Sequence, residues 1–122
     1  MQDRRIMYYE TYLNIFGKTK GAYIDLNNYF KEAEILLKNN HNPEILIPQI
    51  QFAKNYLEKC LQSLTQAHTD IIENYSKLSI NEKLTARKDH IVKKYNTLNN
   101  KVCILLNDTQ KYLEEHNSTI AV

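Results

Sequence analysis

Three stretches of the chain place an apolar residue at five successive positions seven apart: Tyr9, Phe16, Tyr23, Phe30, Leu37; Ile50, Leu57, Leu64, Ile71, Leu78; and Leu84, Ile91, Leu98, Leu105, Tyr112. Seven residues are close to two turns of α-helix, so each series runs down one face of one helix. With 43% apolar residues, five hits at any of seven phases arise by chance roughly one time in ten per segment, and about one time in a thousand for all three. The pattern therefore specifies an all-α fold, an antiparallel up-down-up three-helix bundle with long helices.

The punctuation between the stretches agrees. The first helix is expected over residues 4–38. Gly17 and Gly21 cost a helix interior about 2 kcal/mol together relative to alanine, but Phe16 and Tyr23 keep one heptad phase across them, which favours a continuous helix. Asn39-Asn40-His41-Asn42-Pro43-Glu44 is the clearest turn. Asn39 or Asn40 suits the left-handed residue that ends a helix, Asn42 suits the next cap, and Pro43 the first position after it. A second helix is expected over 44–77, either starting near Pro48 or kinking there. Ser79-Ile80-Asn81-Glu82 fits a capping box that opens a third helix over 80–116. A chain of 122 residues makes one domain, 1–122, large enough to bury a core without metals or disulfides.

Chemistry is harder to find. Gly17-Lys18-Thr19 resembles the end of a phosphate-binding loop, but the glycine needed five residues earlier is Tyr12. In a hairpin turning near Ser79, facing residue numbers sum to about 158 to 160, so His68 and His90 face each other without the further ligands a zinc site needs. Cys60 and Cys103 are offset by about a turn, beyond disulfide reach, and read as buried thiols. No grouping aligns a nucleophile with a base. The expectation is a non-enzymatic chain without cofactor or metal. Nothing in it resembles a signal peptide or a bilayer span, which makes cytoplasmic the default location. A net charge of +2 supplies no bulk field for phosphate backbones and argues against nucleic acid as partner.

Two surfaces stand out. Lys83, Arg87, Lys94 and Lys101 form a basic stripe on the third helix. Glu73 should face Arg87 and Glu58 should face Lys101, as expected of ion pairs flanking a seam. If those charges are free, Arg87, Lys94 and Lys101 become a basic docking face, and with Lys83, Lys88 and Lys93 a nucleic-acid surface whose affinity falls steeply with salt. On the first helix, a second apolar series, Tyr8, Ile15, Ala22, Tyr29 and Leu36, runs beside the main one, with Tyr12, Leu26 and Ala33 between them. A helix with two neighbours needs about three apolar positions per heptad, and this one often has four. Tyr8, Tyr12, Ile15, Tyr29 and Leu36 are therefore the expected partner face of an adaptor that meets another protein through a helix, or a second copy of itself.

In the number and length of its helices the chain resembles the regulatory Habc domain of syntaxin-like membrane-fusion proteins, whose surface holds another helix. Arg87-Lys88-Asp89-His90-Ile91-Val92 is similar to the basic stretch in the last helix of a BAG co-chaperone domain. A spectrin-type repeat has a comparable plan, but its first-helix tryptophan has no counterpart in a chain without tryptophan. These resemblances imply a regulatory three-helix domain.

Overall fold

A computed structural model describes the backbone of residues 4–78, 80–85 and 87–120 and the side chains of residues 8–78, 80, 81, 83 and 87–115. Among them all regular structure is helical: α1 (Arg4–Lys38), a 3-10 turn (Pro43–Leu46), α2 (Ile47–Glu73), a second 3-10 turn (Tyr75–Lys77), the short α3 (Ile80–Thr85) and α4 (Lys88–Ile120). None of these helices is long and apolar enough to cross a membrane. Ser79, Glu82 and Leu84, named above for the capping box and the third heptad, fall outside the described side chains.

The ends of the helices follow from the asparagine-rich turn. Asn40 takes a positive φ of 58°, and the backbone N–H groups of His41 and Asn40 donate to the carbonyls of Leu36 and Leu37 at 2.8 and 3.1 Å. This double closure satisfies carbonyls that the last turn of α1 leaves free. The Asn42 side chain then accepts from the Glu44 N–H at 3.0 Å, capping the 3-10 turn that Pro43 opens. Pro48 sits in the first turn of α2, where its missing N–H costs nothing. At the far end, Asn74 donates to the Asp70 carbonyl through both its backbone N–H and its side-chain amide, and α2 stops at Glu73 rather than near residue 77.

The third expected helix is divided. Tyr75 supplies the reason: its hydroxyl donates to the Lys83 carbonyl in α3 at 3.3 Å and accepts from the Lys88 N–H at the start of α4 at 3.1 Å. One phenol thus satisfies a carbonyl at the end of one helix and an orphan N–H at the start of the next. A periodicity that counts only apolar spacing passes over such a polar pin.

Packing fixes how each helix is turned about its axis. On α2, Ile50, Leu57, Leu64, Ile71 and the following Leu78 are all buried, and on α4 so are Ile91, Leu98, Leu105 and Tyr112. On α1 the buried line is different: Tyr12, Thr19, Leu26 and Ala33, again seven apart, with Ala22 beside them. The apolar series of Tyr9, Phe16, Tyr23 and Phe30 is half-buried at its edge, and Leu37 is 43% exposed. The Thr19 hydroxyl, without exposed surface, donates to the Ile15 carbonyl at 2.8 Å and lies 3.2 Å from the Cys60 carbonyl of α2. Near its start α1 meets His68 through Tyr12, and further along it meets Cys60 through Thr19, so numbers fall on α2 as they rise on α1. Against α4 they rise together, from Tyr12 on the Ile91 carbonyl to Phe30 edge-on to Tyr112. Helix α1 packs more extensively on α2 than either does on α4. Chemical denaturation checks this phase: Leu26→Ala is expected to cost about 2–5 kcal/mol, whereas Leu37→Ala is expected to stay within about 0.5 kcal/mol.

Candidate functional site: a lysine-rimmed cleft between α1 and α4

The rotation of α1 turns Phe16 toward α4, where Phe16 and the buried Leu98 form the apolar part of a cleft of about 520 Å³. One turn beyond Phe16, Lys20 reaches the same opening, and α4 contributes His90, Lys93, Lys94, Thr97 and Lys101. These spacings are helical: residues 90, 94, 97 and 101 share one side of α4, and 16 and 20 one side of α1. The Thr97 hydroxyl is bonded to the Lys93 carbonyl of its own helix at 3.0 Å. Four lysines therefore dominate the polar lining of the cleft.

The cross-helix ion pairs expected for this face do not form. Glu58 is held by Lys54, four residues earlier, at 2.6 Å, and Arg87 lies 3.7 Å from Asp89 on its own segment. Neither Glu73 with Arg87 nor Glu58 with Lys101 makes a bridge. The reason is local reach: Lys54 is almost fully buried, and placing its charge there without a carboxylate would be costly, so it claims Glu58. Among the described residues Lys20, Lys93, Lys94 and Lys101 have no acidic partner. Lys94 and Lys101 thus join the cleft, whereas Arg87 sits ahead of α4 and outside it.

The residues of the expected partner face on α1 divide by burial. Tyr12 is core: it is 3% exposed, donates to the Ile91 carbonyl at 3.3 Å, and its phenol is pushed up to about 12, chiefly by burial and then by the neighbouring Tyr9 and Tyr95. Tyr8, Ile15, Tyr29 and Leu36 are half-buried against the same core. These four flank the buried line, whose centre is the polar Thr19, and keep part of their surface outward. Tyr12 is withdrawn from any outer face.

His68 and His90 also part company. His68 stacks on Tyr95 with centroids 4.1 Å apart, and Tyr95 shares a 2.8 Å hydrogen bond with Thr65, while His90 lies at the cleft. Among the described residues no group of three metal-binding side chains converges. Cys60 is buried and Cys103 exposed, both as free thiols, which corrects the expectation of two buried cysteines.

Set beside known protein families, curated proteins and solved structures, the chain matches none of them. The geometry alone carries the functional reading. Lys20 and Phe16 were missed from the sequence because only facing residues of the second and third helices were matched. The rule for α1 against α4, numbers rising together at a separation near 80, would have set Phe16 beside Leu98 and Lys20 beside Lys101.

Two measurements follow from this geometry. A thiol reagent under native conditions is expected to label Cys103 quickly and Cys60 slowly, with Cys103→Ser removing the fast phase. Burial lowers the His68 pKa from its ordinary 6.5, so the unfolded chain takes up this proton first as the pH falls. The contribution of neutral His68 is complete above about pH 6.5 and is lost as the pH drops through the lowered folded value. The fall in melting temperature between pH 7 and pH 5 is therefore expected to be smaller in His68→Gln.

Proposed function

We propose that the chain is a non-catalytic protein-binding module, an up-down-up antiparallel three-helix bundle whose α1–α4 cleft receives an acidic amphipathic helix of another protein. The observation that carries this reading is the combination of an apolar floor, Phe16 and Leu98, with a rim of four lysines that have no acidic partner among the described residues. The lines of contact described above, opposed on α1 and α2 and concurrent on α1 and α4, support the bundle topology.

A helix docked in such a groove places leucine-like residues on the floor and carboxylates against the rim, so that burial supplies affinity and charge supplies orientation. From His90 to Lys101 the α4 wall spans about 16 Å at 1.5 Å per residue, about three turns of a docked helix. An adaptor role, and a regulatory one of the Habc-like or BAG-like kind, are compatible with this mode. The unpaired lysines also favour a second reading, a helical nucleic-acid binder using Lys20, Lys93, Lys94 and Lys101. The apolar floor sets the two apart, because a phosphate backbone has no use for it.

The test measures fluorescence anisotropy with the whole chain and two probes, a labelled helical peptide of leucine and glutamate at heptad spacing and a labelled single-stranded oligonucleotide. The peptide is expected to bind. Lys94→Glu combined with Lys101→Glu, both exposed and so without effect on folding, is expected to weaken it at least about tenfold. Stronger binding of the oligonucleotide, with a steep salt dependence and no response to Leu98→Ala at matched stability, would transfer the site to nucleic acid. No binding of either probe would remove the cleft as a docking site.

A further inference from the structure

Opposite its buried line, α1 carries a second feature that the cleft does not use. Leu13, Ile24 and Ile35 are 46%, 46% and 57% exposed. They are spaced by eleven residues, about three full helical turns, and so lie one above another on the outward face. Between the first two, Gly17 and Gly21 meet no atom within 4 Å where a Cβ would stand. Among the described residues no contact calls for glycine at either position, yet each costs a helix interior about 1 kcal/mol relative to alanine. The result is a bare stretch of helix backbone bordered by large apolar side chains on a face left exposed among the described residues.

We propose that this face pairs two copies of the chain, α1 against α1 in antiparallel orientation, about a two-fold axis at Ile24. The equal spacing on either side of Ile24 is what a two-fold pairing needs, since the same patch must complement itself. Ile24 meets its own counterpart, and Leu13 meets Ile35 of the other copy at each end. The same register sets Glu10 opposite Lys38 and lays Lys31 over Gly17, where the absent side chain admits the lysine stem. Glu10 and Lys38 are both exposed, and neither has an ion-pair partner among the described residues. A parallel pairing would instead oppose Glu10 to Glu10 and Lys31 to Lys31, so charge selects the antiparallel arrangement. This pairing is independent of the cleft, whose floor residues it leaves uncovered.

Sedimentation equilibrium of the whole chain over a wide concentration range tests the proposal. A reversible rise from 14.4 kDa to about twice that mass is expected. Ile24→Glu sets two like charges at the axis and is expected to raise the dimer dissociation constant at least about tenfold, with helicity and melting temperature of the monomer unchanged. Glu10→Lys and Lys38→Glu are each expected to weaken the dimer, and the double exchange to restore it. A chain that stays monomeric at every concentration overturns the proposal. So does a dimer indifferent to Ile24→Glu, or one that the double charge exchange fails to rescue.

Discussion

Thr19 sets the rotation of α1. Its hydroxyl is fully buried, bonded to the Ile15 carbonyl and close to that of Cys60, so a small polar side chain of α1 lies against the α2 backbone. The Ile15 bond lies within α1 and persists at any rotation, so side-chain size is what fixes the angle. Turning α1 by about 40–60° would move Thr19 off the Cys60 backbone and bring Tyr23 or Phe16 into a gap that fits Thr19 and Ala22. The helix is thereby locked with Tyr12, Thr19, Leu26 and Ala33 inward.

The surface properties of the molecule follow from that lock. With Thr19 inward, the aromatic series from Tyr9 to Phe30 points to one side, where Phe30 stands against Tyr112 and Phe16 floors the cleft. The opposite series of Tyr8, Ile15, Tyr29 and Leu36 closes the other flank of the core. Leu13, Ile24 and Ile35 are left outward because they lie opposite Thr19 on the same helix. One angle thus decides which residues are core, which line the lysine-rimmed cleft and which remain uncovered.

Much of this was legible in the sequence where burial is purely apolar. The heptads of α2 and α4 gave the right inward faces because Leu57, Leu64 and Leu98 need only to leave water. The turn after α1 was legible because Asn40, Asn42 and Pro43 each have a specific backbone role. What escaped was polar. Thr19 sits at the centre of a buried face, where a count of apolar residues does not register it, so such a count centres α1 on the flanking Phe16 series instead. The break before α4 depends on the Tyr75 hydroxyl, which spacing cannot reveal. Lys101 is left without its expected partner because Glu58 pairs with the buried Lys54 on its own helix, a competition that depends on relative burial.

The rotation of α1 is open to one direct measurement, the pattern of NOEs from its aromatic rings in the isotope-labelled chain. NOEs from Phe30 to Tyr112, from Phe16 to Leu98 and from Tyr12 to His68 are expected together, since one orientation of α1 sets all three. NOEs from Phe16 and Phe30 to Leu57 or Leu64 of α2, with Tyr8 and Tyr29 reporting on α4, would show α1 turned the other way and would contradict both the buried Thr19 line and the cleft built on it.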